Sequence, residues 1–151
     1  MSTDVTEHTL YAVAAMPKQE VRNWISALAA YIMDMPEAIA VDTVPVKHTF
    51  APGLYAREMF IPKGLLIIGK LHKHAHMNTL SKGTVVVLTE AGVQRIAAPY
   101  TFVSEVGARR VVYAMEDTIW TTYHVTDKTD LAEVEAEVIA KDYGELELEQ
   151  V

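Results

Sequence analysis

Between about Val41 and Val125 the sequence breaks into short runs rich in β-branched and aromatic residues, each cut off by glycine or proline. The runs are Leu54 to Ile61, Leu65 to His72, Thr84 to Thr89, Gln94 to Ala97, Tyr100 to Ser104, Arg110 to Ala114 and Thr118 to Val125. Pro62-Lys63-Gly64, Glu90-Ala91-Gly92 and Glu105-Val106-Gly107 supply turn chemistry between them. About seven or eight short strands at such even spacing predict a sandwich or a small barrel.

The flanks have a different period. Pro17 suits a first helical turn, and Val21, Trp24, Ile25, Leu28 and Ile32 then recur at three- and four-residue spacing up to Asp34, with Pro36 as the stop. Asp130 to Lys141 predicts a second helix, with Leu131, Val134, Val138 and Ile139 on one side and glutamates on the other. Gly144 to Val151 is too acidic to pack unaided. The expected organisation is a helical extension over 1–40, a β-barrel over 41–126, and a C-terminal helix with an acidic tail over 127–151. A chain of 151 residues, half of them apolar, supports one core and so a single domain.

Composition removes several partners. The longest apolar stretches, Leu65 to Ile68 and Val85 to Leu88, fall far short of the roughly 20 residues that cross a bilayer. Met1 to His8 is polar and acidic, unlike a secretory leader, and no cysteine is available for disulfides or thiolate ligation, so a cytoplasmic protein is expected. A net charge of −7 argues against non-specific nucleic-acid binding, which needs a basic surface. Much of that charge is local, carried by Glu133, Glu135, Glu137, Asp142, Glu145, Glu147 and Glu149. The remaining body is nearly neutral and leaves room for a small anionic ligand in a local basic pocket.

Chemistry concentrates at His72, His74 and His76, half of the six histidines. In an extended chain these alternate positions point one way, and adjacent pairs can converge on one ion. The plain alternative is a solvated strand end. Arg110 can bind a carboxylate or phosphate, while Arg109 pairs more naturally with Glu58 or Glu116. Glu58 is a candidate carboxylate from a neighbouring strand. Tyr113, Trp120 and Tyr123 offer aromatic surface to a ligand or simply fill the core. Asn78 and Thr122 can orient a ligand or a histidine by hydrogen bonding. No glycine-rich phosphate loop, serine elbow or His-Glu-x-x-His helix occurs.

From Phe50 to Val125 the chain resembles the cupin family. Gly64, the histidines and Leu80-Ser81-Lys82-Gly83 follow the order of that family's first motif, and Glu105-Val106-Gly107-Ala108-Arg109-Arg110 stands where its second motif belongs. The resemblance implies an all-β core, a double-stranded β-helix or jelly roll, with an N-terminal and a short C-terminal α-helix. Ile67 to His72, Met77 to Gly83 and Thr118 to His124 look like uncharacterised cupin-like proteins of bacteriophages. Two positions depart from the family pattern: His76 stands near its glutamate, and Arg110 near its second-motif histidine. Arg110 cannot bind a metal, because guanidinium stays protonated. His124, on one strand face with Trp120 and Thr122, is a replacement that could join His72 and His76, or His74.

Three functions follow as expectations. The first is binding of a small, anionic molecule by Arg110, Tyr113, Glu58, Asn78, Trp120 and Thr122. The second is a mononuclear metal enzyme using zinc, iron, nickel or copper on His72, His76 and His124, with His74 as a substitute. The third is a non-catalytic virion or assembly module. A homodimer is expected from exposed sheet edges.

Overall fold

The computed structural model describes residues 2–34, 44–107 and 109–140. Two helices, α1 (Ser2–Ala14) and α2 (Lys18–Asp34), precede ten strands: β1 (Val46–Ala51), β2 (Leu54–Ile61), β3 (Leu66–Ile68), β4 (Leu71–His72), β5 (His76–Lys82), β6 (Thr84–Thr89), β7 (Gly92–Ala97), β8 (Tyr100–Ser104), β9 (Val111–Ala114) and β10 (Thr118–Val125). A third helix, α3 (Leu131–Val138), runs into β11 (Ile139–Ala140). The strands form a sheet ordered β1-β2-β10-β5-β8, a facing sheet ordered β3-β9-β6-β7, and a β11-β4 pair, all antiparallel. This is a double-sheet jelly roll of the cupin type.

Alternation explains the layers. Val85, Val87, Val112 and Ala114 face the other sheet and pack on Met59, Ile61, Leu80 and Trp120. Their neighbours Val86, Leu88, Val111 and Tyr113 face outwards, where Leu10 and Val13 of α1 and Val21 and Ile25 of α2 cover them. Both faces of β6 and β9 are therefore apolar and buried, which is why their sequences read as continuous hydrophobic runs. Each such side chain stabilises the fold by roughly 1.5–3 kcal/mol.

The helices thus complete the core rather than append to it. α1 departs from the expectation that the first helix begins at Pro17: among its described side chains the buried apolar ones are Leu10 and Val13, too few to read as a stripe. Pro17 still opens α2, its carbonyl accepting from the Val21 amide at 3.0 Å. The Leu65 to His72 run is interrupted at Gly69-Lys70 into β3 and β4. The predicted second helix stops at Val138, and Ile139 continues into β11; its start is capped by the Asp130 side chain, which accepts from the Glu133 amide at 3.1 Å. The acidic tail beyond Ala140 and the Pro36 stop lie outside the described residues.

Gly83 closes the β5–β6 hairpin at φ +93°, and a Cβ there would lie 2.5 Å from the Asp117 carbonyl oxygen and 2.9 Å from Thr118 Cα. Only glycine fits. Among the described residues no helix is long and apolar enough to cross a membrane.

Candidate functional site

The inner face of the five-stranded sheet is built in three rungs. Val46, Met59, Trp120 and Leu80 are cross-strand neighbours in an apolar rung at the floor. The next rung is His48, Arg57, Thr122 and Asn78. Above it lie Phe50, Tyr55 and His124, with the His76 ring 4.9 Å from His124. Strand alternation puts all of them inside, polar residues included. Above this face is a cavity of about 480 Å³, closed from other sides by His72 of β4, Arg110 ahead of β9, and Leu131, Val134 and Val138 of α3.

Asn78 organises the polar part from beneath the cavity wall. It is fully buried, and its amide oxygen accepts from Trp120 Nε1 at 3.0 Å and Thr122 Oγ1 at 3.2 Å, while its nitrogen donates to Ser104 Oγ at 2.8 Å. Because indole N–H can only donate, the amide orientation is fixed. Ser104 Oγ also accepts from Arg110 Nη1, and Arg110 Nη2 donates to His76 Nε2 at 3.4 Å. The guanidinium carbon lies 5.3 Å from the centre of the Trp120 ring. Arg110 is therefore held by a hydroxyl, an imidazole and a π face, and by no carboxylate among the described residues. Burial pushes it down to about 10, so it stays charged at neutral pH.

Three imidazoles converge. The ring centres of His72, His76 and His124 are separated by 4.2, 4.9 and 5.4 Å. Burial lowers His76 to about 4, the His74 carbonyl opposing and the Arg110 charge assisting. His124 is also lowered to about 4, by burial first and then by the charges of His76, Arg57, His74 and Arg110. Both rings are neutral at pH 7. Tyr55 stacks on Phe50 with centres 4.8 Å apart, and its hydroxyl is hydrogen-bonded to His48 Nδ1 at 2.6 Å. Burial raises the Tyr55 phenol, with Arg57 opposing.

The arrangement does not fit a metal ion as it stands. His76 Nδ1 faces the His74 carbonyl at 3.3 Å and its Nε2 faces Arg110, so both nitrogens are engaged, one of them by a cation. No group of three His, Asp or Glu among the described residues is disposed to hold an ion.

The residues singled out from sequence separate into two sets. Arg110, Trp120, Thr122, His72 and His124 line the cavity, with His76 and Asn78 buried beside it. His74 does not join them, because the chain leaves the strand between His72 and His76 and exposes it. Glu58 is on the opposite face of β2, exposed, one residue out of phase with Arg57. Tyr113 is out of phase in the same way on β9 and packs beneath α1 and α2. Arg109 donates to the Gly69 carbonyl at 3.4 Å, and Glu116 accepts from Thr84, so neither joins the expected ion pairs. Sequence reasoning misses Arg57, although it shares its alternation with Tyr55, Met59 and Ile61, which marks it as inward-facing.

The jelly roll has solved counterparts. A salicylate 1,2-dioxygenase from Pseudaminobacter salicylatoxidans superimposes with a TM-score of 0.51 at 9% identity, over 62% of this chain and 28% of that one. KdgF from Halomonas sp. gives 0.47 at 18% identity, over 56% and 79% of the two chains. A cupin-2 domain protein from Shewanella frigidimarina gives 0.46 at 8%, over 54% and 80%. At these identities the likeness is one of fold alone. No protein-family model matches the chain, and no curated protein matches it.

Proposed function

We propose that this cupin-type barrel binds a small anionic molecule in its 480 Å³ cavity. One observation carries the reading. The cavity wall holds Arg57 and Arg110, and its one carboxylate among the described residues, Glu135, is ion-paired with Lys70. Two arginines facing a recessed space, without a carboxylate partner among the described residues, leave a positive potential that an anion would neutralise. The volume suits a small metabolite.

Thermal denaturation in chelator against a panel of organic anions tests this. An anion at a hundred times its Kd adds about 2.7 kcal/mol, which for a chain of this size raises Tm by roughly 5–10 °C. The rise should disappear in Arg110→Met. No stabilisation by any anion, or equal stabilisation of the variant, would overturn the proposal. Stoichiometric metal in tag-free protein, lost in His124→Ala, would overturn it in favour of a metal site on the imidazoles.

A further inference from the structure

We infer that the anionic end of the ligand carries two negative charges, as a phosphate monoester or a paired dicarboxylate does, and is held jointly by Arg57 and Arg110. This rests on the anion-binding reading above and adds the charge and the second arginine.

Both arginines line the same cavity, Arg57 from β2 and Arg110 from the segment ahead of β9. Arg57 Nη1 donates to Met59 Sδ at 3.7 Å, and Met59 is the register partner of Trp120. Arg110 lies over that same Trp120, 5.3 Å from the ring centre. Arg57 is itself the register partner of Thr122, whose hydroxyl and the Trp120 indole meet on Asn78. His124, one rung higher, feels the charge of both arginines.

Charge counting then sets the ligand. Lys70 is compensated by Glu135, which among the described residues leaves two positive charges on the cavity wall. A monoanion would neutralise one and leave the other uncompensated in a space walled by Val112, Val134, Trp120 and Met59. An uncompensated charge near apolar surface is costly, so a dianion gains more than a monoanion of the same shape. Arginine forks also match the oxygen spacing of carboxylate and phosphate, and two forks can grip two oxygen pairs.

The test holds the apolar body constant and varies the charge. Calorimetric titrations at pH 8 in chelator use benzyl alcohol, benzoate, phthalate and phenyl phosphate on the whole protein and on Arg57→Met and Arg110→Met. Phthalate or phenyl phosphate should bind at least 10-fold more tightly than benzoate, and whichever of the two binds better identifies the head group as dicarboxylate or phosphate. Arg57→Met should reduce that preference to near unity while benzoate still binds. If Arg110→Met fails to fold, Arg57→Met decides, since Arg57 is only half-buried and takes no part in the Asn78 network. Equal affinity for benzoate and the dianions overturns the inference and leaves anion binding intact. A dianion preference that survives Arg57→Met overturns it too. Binding of no compound, or of benzyl alcohol as tightly as the anions, overturns both.

Discussion

Acidification should destabilise this protein before its carboxylates are protonated. His76 and His124 are held at about 4 in the folded chain and return to about 6.5 when it unfolds. Between those values the unfolded state binds more protons, so stability is full above pH 6.5 and falls as the pH falls towards 4. A tenfold difference in proton affinity between the two states is worth about 1.4 kcal/mol, so at pH 5 two such histidines remove about 4 kcal/mol, a large part of the 5–15 kcal/mol typical of a domain. Among the described residues no carboxylate faces these rings; their neighbours are His72, Tyr55, the cationic Arg57 and Arg110, and the His74 carbonyl. Urea denaturation at half-unit steps from pH 7.5 to 5 in chelator, with the wild type beside the double variant His76→Gln/His124→Gln, separates these groups from the rest of the protein. The variant should lose most of the slope. An unchanged slope would refute the reasoning, because the protons would then be going elsewhere.

Gly83→Ala should cost about 3–5 kcal/mol in urea denaturation, combining a strained φ with a clash against backbone that cannot retreat. Asn78→Ala leaves the Trp120 N–H and the Thr122 hydroxyl buried without their acceptor and should cost about 2–4 kcal/mol, with a change in Trp fluorescence as the indole loses its partner. Leu10→Ala should cost about 2–5 kcal/mol, as for any core leucine; a change below 0.5 kcal/mol would mean that α1 contributes little to the core.

The jelly roll is legible because turn residues punctuate the strands at even intervals, as at Glu90-Ala91-Gly92 and Pro62-Lys63-Gly64. β5 is harder, since His76 and Asn78 point inwards and Met77 outwards, so hydrophobicity runs against the true face. The same inversion hides Arg57 and promotes Glu58: a polar residue on a strand reads as solvated until its neighbours' phase is counted. His124 is found through its phase with Trp120 and Thr122, and it is the residue that brings β10 into the imidazole group. Arg110 is placed by motif register, while its partner Ser104, near in sequence but on β8, gives no signal at all. The likeness to bacteriophage proteins has no counterpart among the solved structures named above.

The short β11–β4 pairing ties the roof of the cavity to its wall. Ile139 is in register with His72, and the Lys73 amide donates to the Val138 carbonyl at 2.8 Å, at the very end of α3. The His72 carbonyl in turn accepts from the Gly107 amide at 3.0 Å, three residues before Arg110. Lifting the end of α3 away from β4 would break these main-chain hydrogen bonds and disturb the placement of His72. Hydrogen exchange at the Lys73 amide therefore reports how often this edge of the cavity opens.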